Sequence, residues 1–212
     1  MRSWDEIKAW RRETRAKLLA RRVAVRRVER ERIGAIVTAL LAERVPELRP
    51  ESRHAGCIGF CWPFKGEVDF RGFVGEAIDG GATAALPVVV ERAQPLEFWS
   101  WQPGMKLQRG IWGIPIPGER HIVRPSVLLV PLIGFDPAGY RLGYGGGYFD
   151  RTLAVTAPKP LTIGIGYELG RLETIHPQPH DIPMDAIVTE NGLGWVARAP
   201  SLGPVLERRA GR

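Results

Sequence analysis

Apolar side chains recur at helical spacing within the first forty-odd residues. The clearest set comprises Ile33, Ile36, Val37, Leu40 and Leu41. This spacing places side chains on one face of an α-helix, so residues 4 to 44 are predicted to be helical, with a break near residues 23 to 27. Pro46 and Pro50 are expected to end the helical segment, because proline cannot continue a helix.

Beyond residue 55 the pattern changes to short apolar runs of the kind that form buried strands. Such runs occupy residues 55–62, 85–90, 127–133, 161–167 and 186–188, and residues 96–101 alternate as an edge strand does. Helices are predicted between them over residues 67–80 and 148–156. This alternation favours an α/β fold. We expect a three-layer α/β/α arrangement with a mainly parallel central sheet, preceded by an N-terminal helical segment.

The chain length suits one domain. At 212 residues, with 44% apolar and 25% charged residues, it has the composition of an ordinary globular protein and can bury a sizeable core. Within residues 1–212 we expect basic N-terminal helices over 1–45 and an α/β core over 55–190. A frayed, flexible tail is expected from about residue 200 to 212.

The positive charge is concentrated at one end of the chain. The formal net charge is +7, and most of the excess lies in an arginine-rich stretch over residues 2–32. Such a stretch can bind nucleic acid, or form a solvated helix face with a few arginines turned toward an anionic ligand. No aromatic interleaving or known nucleic-acid module accompanies it, so a nucleic-acid partner is not expected. A solvated face is predicted for Arg21, Arg22, Arg26 and Arg27.

Two cysteines, Cys57 and Cys61, lie four positions apart in the first apolar run. Without a second pair or a nearby histidine they make no zinc site, and a disulfide framework is not expected. No run of about 18 apolar residues occurs, and the arginine-dense N-terminus lacks the apolar core of a signal peptide. We therefore expect a cytoplasmic protein with no membrane partner.

Residues 131–151 carry the most informative chemical pattern. A buried strand leads through a loop to the start of a predicted helix and a group of four glycines, Gly143, Gly145, Gly146 and Gly147. Backbone N–H groups converge on an anion in such an arrangement, and phosphate is the expected ligand. The spacing matches neither a Walker loop nor the G-x-G-x-x-G fingerprint. On the glycines alone, a tight strand-to-helix turn is the alternative.

The whole string GFDPAGYRLGYGGGYFDR, residues 134–151, resembles the signature of the 5-formyltetrahydrofolate cyclo-ligases. The resemblance continues in basic residues four apart near the N-terminus, a Gly-Glu-Val-Asp after the first strand, a Trp-Gly-Ile-Pro loop and a late Asp-x-x-x-Asp. It implies an enzyme that uses ATP and magnesium to convert 5-formyltetrahydrofolate to 5,10-methenyltetrahydrofolate, with release of ADP and phosphate. A monomer is expected.

The family's reaction begins when the formyl oxygen attacks the γ-phosphorus of ATP. N10 then closes the ring on the iminium phosphate, and phosphate leaves. Such chemistry needs in-line positioning and charge neutralisation more than a protein nucleophile. The sequence is consistent with this, because it shows no Ser-His or Cys-His constellation.

The resemblance also implies roles for individual residues. ATP is expected at the basic pair Arg11 and Arg15, although Lys8 with Arg12 is an alternative pair. The expected ATP loop comprises Arg141, Leu142, Gly143, Tyr144, Gly145, Gly146, Gly147, Tyr148 and Phe149. Folate is expected at Cys61 or Trp62, at Glu67, at Trp112 and along residues 144–148. Asp150 and Asp181 match magnesium positions, and Arg141 and Tyr148 are the candidate catalytic residues.

Two departures from the family pattern keep another role for a cyclo-ligase-like protein open. The segment FCWPFKGE, ending at Glu67, is one residue longer than in some members, which leaves Cys61 and Trp62 as alternatives. Ile116 stands where a polar residue often precedes the second proline. Trp99 and Trp101 are predicted to pack in the core or the edge strand, and His176 and His180 to be loop residues.

Overall fold

Two long helices form the N-terminal part of the chain. In the computed structural model, which describes residues 3–45, 48 and 56–196, α1 spans Trp4–Ala24 and α2 spans Arg27–Arg44. The predicted helical segment and its break are therefore confirmed. Pro46, Pro50 and the predicted tail from about residue 200 lie outside the described residues.

A capping box explains where α1 begins. The Ser3 hydroxyl accepts a hydrogen bond from the Glu6 N–H, and the Glu6 carboxylate accepts one from the Ser3 N–H. These two bonds satisfy donors that the first turn of a helix leaves unpaired. Among the described residues, no helix is both long enough and apolar enough to cross a membrane.

The remaining α-helices are short, and the strands form one large sheet and two small hairpins. The helices are α3 (Arg71–Asp79) and α4 (Tyr148–Val155). The large sheet contains β1 (Cys57–Phe60), β2 (Thr83–Val88), β3 (Glu97–Trp101), β6 (Val127–Pro131), β9 (Leu161–Ile165), β10 (Ala186–Thr189) and β11 (Gly192–Trp195). The hairpins pair β4 (Leu107–Arg109) with β5 (Pro115–Pro117), and β7 (Gly134–Phe135) with β8 (Arg141–Leu142).

The large sheet is mainly parallel. Its strand order is β11-β10-β9-β6-β1-β2-β3. The neighbours from β10 to β2 pair in parallel, with Ile58 of β1 opposite Val127 on one side and Ala84 on the other. The two outer strands pair antiparallel. The predicted edge position of β3 is thus confirmed, whereas β11 and both hairpins were not predicted.

Helices cover both faces of the sheet. On one face, Ile58 and Leu129 belong to the core that α2 and α3 complete, for example through Val74. On the opposite face, Leu128 packs in a second core with Leu153 of α4. Successive residues of β6 are buried on alternate faces, as expected for a central parallel strand. The predicted three-layer α/β/α fold is confirmed.

The third helix is shorter than its apolar pattern predicts. A helix was predicted over residues 67–80, but α3 begins at Arg71. The preceding residues form a turn in which Gly66 has a φ of 80° and the Phe64 carbonyl accepts the Glu67 N–H. The Glu67 carboxylate in turn accepts the Phe64 N–H. The prediction of a helix starting at Glu67 was wrong, because these local bonds hold Glu67 in a loop.

The order of the strands reverses at β1. The chain passes from β1 to β2 on one side, and later places β6 on the other side. In open α/β sheets, ligands bind outside the carboxyl ends of strands at such a switch point. Glu67 lies in the loop after β1, and the glycine cluster lies in the segment after β6. The fold therefore brings two distant loops to the same crevice.

Candidate active site

The glycine cluster, residues 143–147, connects β8 to α4 in a backbone shape that needs glycine at two positions. Gly145 has a φ of 94°, and Gly147, which caps α4, has a φ of 63°. Residues with a Cβ are strained in this left-handed region. Gly143 does not have this backbone conformation, and no neighbouring atom lies within 4 Å of the position that a Cβ would take. Gly143 thus faces open space at the surface of the cluster.

Two arginines of α1 face this part of the molecule. Nε of Arg15 donates to the Gly143 carbonyl at 2.6 Å. Burial, assisted by the charge of Arg11, lowers the pKa of Arg15. The alternative pair, Lys8 and Arg12, is exposed. Arg15 therefore contacts the glycine cluster, whereas Arg11, one turn earlier on the same helix, contacts the loop that carries Asp181.

Two ion pairs that are largely buried lie beside the cluster. Nη2 of Arg11 lies 2.5 Å from Oδ2 of Asp181, and Nη2 of Arg141 lies 2.7 Å from Oδ1 of Asp150. Burial lowers the pKa of Arg141, and the charge of Asp150 opposes that shift. The Asp150 carboxylate also accepts the Ile182 N–H at 3.0 Å. This bond draws the segment that contains Asp181 toward the first turn of α4.

Asp150 and Asp181 offer carboxylate oxygens of the kind that bind magnesium, with phosphate and water completing the coordination shell of the ion. Magnesium usually takes one or two protein carboxylates, together with phosphate oxygens and waters. Within the described ranges no group of three or more His, Cys, Asp or Glu side chains could hold a metal, so an all-protein cage is not formed there. Both carboxylates already face arginines, and a bound ion would share their oxygens with Arg11 and Arg141.

Glu67 lies in a buried polar pocket behind the glycine cluster. Its Oε1 accepts the Tyr144 hydroxyl at 2.8 Å, and its Oε2 accepts the Phe64 N–H at 3.1 Å. Burial raises the pKa of Glu67, while the charge of Arg22 and these two hydrogen bonds oppose the rise. Burial also raises the pKa of Tyr144, with the charge of Glu67 as a further cause. Because Tyr144 belongs to the cluster, this contact joins the candidate folate residue to the candidate ATP loop.

Arg22 was predicted to lie on a solvated face, and this prediction was wrong. The residue is only 2% exposed. Its guanidinium donates to the carbonyls of Lys65 and Leu132 and to the Tyr144 hydroxyl. The signal was present in the spacing, because Arg22 follows Arg15 by seven positions, or two helical turns, and shares its helix face. The other predicted solvent-facing arginines are exposed: Arg21, Arg26 and Arg27.

Cys61, more than Trp62, belongs to the pocket around Glu67. Cys61 lines a small cavity with a set of residues that includes Arg22, Glu67, Pro131, Leu132 and Tyr167. Burial, and then the charge of Glu67, raise the pKa of the Cys61 thiol well above its usual range. The Trp62 ring instead lies 4.6 Å from the guanidinium of Arg71. Both cysteines are free thiols.

Trp112 differs from the tryptophans of the edge strand. It is 63% exposed and has a φ of 60°, a strained conformation for a bulky residue. Its ring meets the Tyr148 ring edge-on, with centroids 5.8 Å apart. Trp99 and Trp101 are buried as predicted. An exposed indole beside the first residue of α4 offers a surface for a flat ligand.

Two members of the predicted ATP loop turn their side chains inward. Leu142 is buried with Leu18 and Ile133, and Phe149 packs against the core beneath α4. These two residues contribute to a ligand site only through their backbone. Ile116, the departure in the Trp-Gly-Ile-Pro loop, lies in β5 and packs over Gly110.

The two histidines of the late loop lie against α1. The His176 ring meets the Trp10 ring at 4.7 Å, and the His180 ring meets the Trp4 ring at 5.9 Å. Both pairs are edge-to-face contacts. They pack the loop that carries Asp181 onto the helix that carries Arg11.

Comparisons with known proteins identify relatives of this chain and of its fold. The model of the 5-formyltetrahydrofolate cyclo-ligase family matches residues 7–190. The 5-formyltetrahydrofolate cyclo-ligase of Escherichia coli is 32% identical over 133 residues, which cover 59% of this chain and 73% of that protein. The structure of Aquifex aeolicus 5,10-methenyltetrahydrofolate synthetase is 29% identical with a TM-score of 0.75, covering 93% of this chain and 98% of the other. A synthetase structure from Mycoplasma pneumoniae, 22% identical with a TM-score of 0.66, covers 85% of this chain and 98% of its own and shares the fold.

Proposed function

The chain belongs to the 5-formyltetrahydrofolate cyclo-ligase family and is an ATP-binding ligase of folate one-carbon metabolism, and we propose that its two substrates meet where Tyr144 contacts Glu67. The observation that carries this proposal is the 2.8 Å hydrogen bond from the Tyr144 hydroxyl to Oε1 of Glu67. One partner lies in the glycine cluster and the other in the pocket after β1. ATP then lies on the cluster side and the folate on the Glu67 side.

On the ATP side, the phosphates lie over the glycine cluster. Gly143 presents its backbone to open space, and the first turn of α4 supplies N–H groups and the positive end of the helix dipole. Arg15 contacts the cluster from α1, and Arg141, in β8 just before the cluster, pairs with Asp150. Arg11, one helical turn before Arg15 on α1, forms an ion pair with the Asp181 carboxylate. These cations neutralise charge that develops as the phosphoryl group transfers.

On the folate side, Glu67 accepts hydrogen bonds from the N–H and amino groups of the pterin. Charge-assisted bonds of this kind are about twice as strong as neutral ones. Cys61 borders the same pocket, and the Trp112–Tyr148 pair forms an aromatic edge on the side of α4. Tyr148, at the start of α4, therefore lies between the two substrates.

The chemistry follows from this placement. The formyl oxygen of 5-formyltetrahydrofolate attacks the γ-phosphorus, the bond to ADP breaks, and the iminium carbon becomes electrophilic. N10 attacks that carbon and releases its proton to solvent as the ring closes. The C–O bond then breaks, phosphate leaves with the electron pair, and the 5,10-methenyl cation remains. The protein holds the two reactants in line and neutralises charge, which accounts for a site built of arginines and backbone donors.

Magnesium is proposed to be held by Asp150 and Asp181, because the Asp150 carboxylate accepts the N–H of Ile182, the residue after Asp181. When bound, the ion neutralises charge on the phosphates of ATP. Without a cation, Asp150 in the first turn of α4 would repel those phosphates. We also propose that the enzyme is cytoplasmic and monomeric.

A turnover assay tests the function. The purified protein should convert 5-formyltetrahydrofolate to the methenyl form only when ATP and magnesium are both present, because phosphorylation makes the formyl oxygen a leaving group. The methenyl product is followed by its absorbance, and ADP and phosphate should form in equal amounts. Equal product formation without ATP would contradict the proposed reaction.

The magnesium ligands have a separate test. Asp150→Asn and Asp181→Asn should each raise the magnesium concentration needed for half-maximal rate. Asp79→Asn, at an exposed position on α3, is the matched control and should leave it unchanged. A variant whose magnesium dependence equals that of the control excludes its carboxylate from the metal site.

A further inference from the structure

Arg22 occupies the interior between α1, the loop after β1 and the glycine cluster. Nε donates to the Lys65 carbonyl at 3.1 Å and Nη1 to the Leu132 carbonyl at 3.1 Å. Nη2 donates to the Tyr144 hydroxyl at 2.5 Å and lies 3.6 Å from Oε1 of Glu67. One side chain thus contacts three separate segments of the site.

The burial of this group calls for an explanation. The side chains of Arg22 and Glu67 are 3% and 7% exposed. A buried charge is costly unless an opposite charge and hydrogen bonds compensate it. An apolar residue at this position of α1 would fill the same space without that cost. The guanidinium of Arg22 contacts both Glu67, the candidate pterin-binding residue, and the glycine cluster, which points to a role in the site.

We propose that Arg22 is a positioning residue for the folate side of the site, which keeps the Glu67 carboxylate ionised and oriented, directly and through the Tyr144 hydroxyl. This inference rests on the proposed role of Glu67 in binding the pterin. The hydroxyl lies between the two charges, since it accepts from Arg22 and donates to Glu67. The same hydroxyl ties the arginine to the glycine cluster.

The charge state of Glu67 is the quantity that Arg22 controls. Burial raises the pKa of Glu67, and the largest opposing cause is the charge of Arg22, followed by the Tyr144 and Phe64 hydrogen bonds. Cys61 and Tyr167 line the same cavity as Glu67. Glu67 also lines a wider groove between α2 and α3, where the charged side chains are Arg27, Arg30, Glu31, Asp69 and Glu76. Loss of the arginine charge would let Glu67 take up a proton at higher pH. A protonated carboxyl presents fewer acceptor sites to the pterin.

The first experiment measures the pKa of the Glu67 carboxyl in the protein without any ligand. Carbon-13 NMR follows the Glu67 carboxyl during a pH titration, with its signal assigned by its loss in Glu67→Gln. In Arg22→Met the pKa of Glu67 should move upward from its value in the unmutated protein, and Arg22→Lys should restore most of the difference. Arg21→Met, at the exposed neighbouring position, is the control. An unchanged Glu67 titration in Arg22→Met overturns the proposal.

The second experiment separates positioning from general packing. Arg22→Met should raise the folate KM roughly tenfold at neutral pH, while the ATP KM changes less than about twofold. The increase should be larger at acidic than at alkaline pH, because protonation of Glu67 causes it. Equal increases for both substrates, or a pH-independent increase, would show that Arg22 only supports the fold.

Tyr144→Phe keeps the test decisive if Arg22→Met does not fold. This variant removes the bridging hydroxyl without leaving a buried charge unpaired, and it should also move the pKa of Glu67 upward. An unchanged titration would overturn the bridging role. Failure of the proposed function is distinguishable, because the unmutated protein would then show no turnover of 5-formyltetrahydrofolate while the NMR titration still decides the role of Arg22.

Discussion

The arginines of the two N-terminal helices fall into two sets with opposite surroundings. The inward set, Arg11, Arg15 and Arg22, has hydrogen-bond partners more than forty positions away along the chain. Two exposed arginines of the outward set pair locally instead: Arg27 with Glu31, four positions away, and Arg32 with Glu29, three positions away. The inward residues share one face of α1, because four and seven positions are about one and two turns of a helix.

This difference shows why the charge of the segment does not by itself indicate a partner. Ion pairs on a surface contribute about 0 to 1 kcal/mol, and their charges are already met by neighbouring carboxylates such as Glu31 of Arg27 and Glu29 of Arg32. The buried arginines contribute through the groups that they hold in place. The position of an arginine on the helix, more than the number of arginines, decides its role.

The largest effect is expected at the buried ion pair. Arg11→Met leaves the Asp181 carboxylate, 11% exposed, without its cation at 2.5 Å, and should lower the free energy of unfolding by about 3 kcal/mol. Urea denaturation measures it. The double variant Arg11→Met/Asp181→Asn should lose less than the sum of the single losses. A loss equal to that of the exposed Arg12→Met would contradict the distinction between the two sets.

A smaller effect is expected where an inward arginine faces the ATP side. Arg15→Met removes the donor to the Gly143 carbonyl and a cation beside the glycine cluster. The ATP dissociation constant should rise about tenfold, or about 1.4 kcal/mol. Calorimetry measures it, with Arg12→Met as the control. Unchanged ATP affinity would mean that Arg15 only fastens the loop.

Substitutions at two glycines near Arg15 distinguish an effect on ligand binding from an effect of backbone strain. Gly143→Ala adds a methyl group in open space, so it should weaken ATP binding while changing stability by less than about 0.5 kcal/mol. Gly147→Ala, at a φ of 63°, should lower stability by about 1 kcal/mol. Gly146 does not separate the two effects, since a Cβ there would lie 2.6 Å from the Tyr148 ring and would disturb packing as well. Identical profiles for Gly143→Ala and Gly147→Ala would indicate a turn without a ligand role.

The smallest effect is expected in the outward set. Arg27→Gln breaks the exposed pair with Glu31, 2.7 Å long, and should change the midpoint of thermal unfolding very little, because exposed pairs contribute little to stability. Thermal unfolding at low and high salt should show that even this difference shrinks as salt screens the charges. The KM values of both substrates should stay unchanged. A clear loss of stability that does not depend on salt would show that the outward set also supports the fold.

The N-terminal helices and the main strands were predicted correctly, and the errors lie where the local pattern is weak or ambiguous. The hairpins β4–β5 and β7–β8 have strands of two or three residues, too short to show a period. The helix predicted from Glu67 begins only at Arg71, because the Gly66 turn and the hydrogen bonds between Phe64 and Glu67 hold the first residues in a loop. Arg22 was missed because an arginine on an amphipathic helix is usually solvated.

The sequence by itself determined the helices, the main strands, the glycine-rich loop and the family, because periodicity and turn chemistry are local properties of the chain. Only the tertiary structure decided that Glu67 meets Tyr144, since 77 positions separate them and the contact depends on β1 and β6 becoming neighbours. The tertiary structure also decided which arginine side chains are buried and desolvated. Desolvation depends on every segment that packs around a side chain, and no local pattern records that sum.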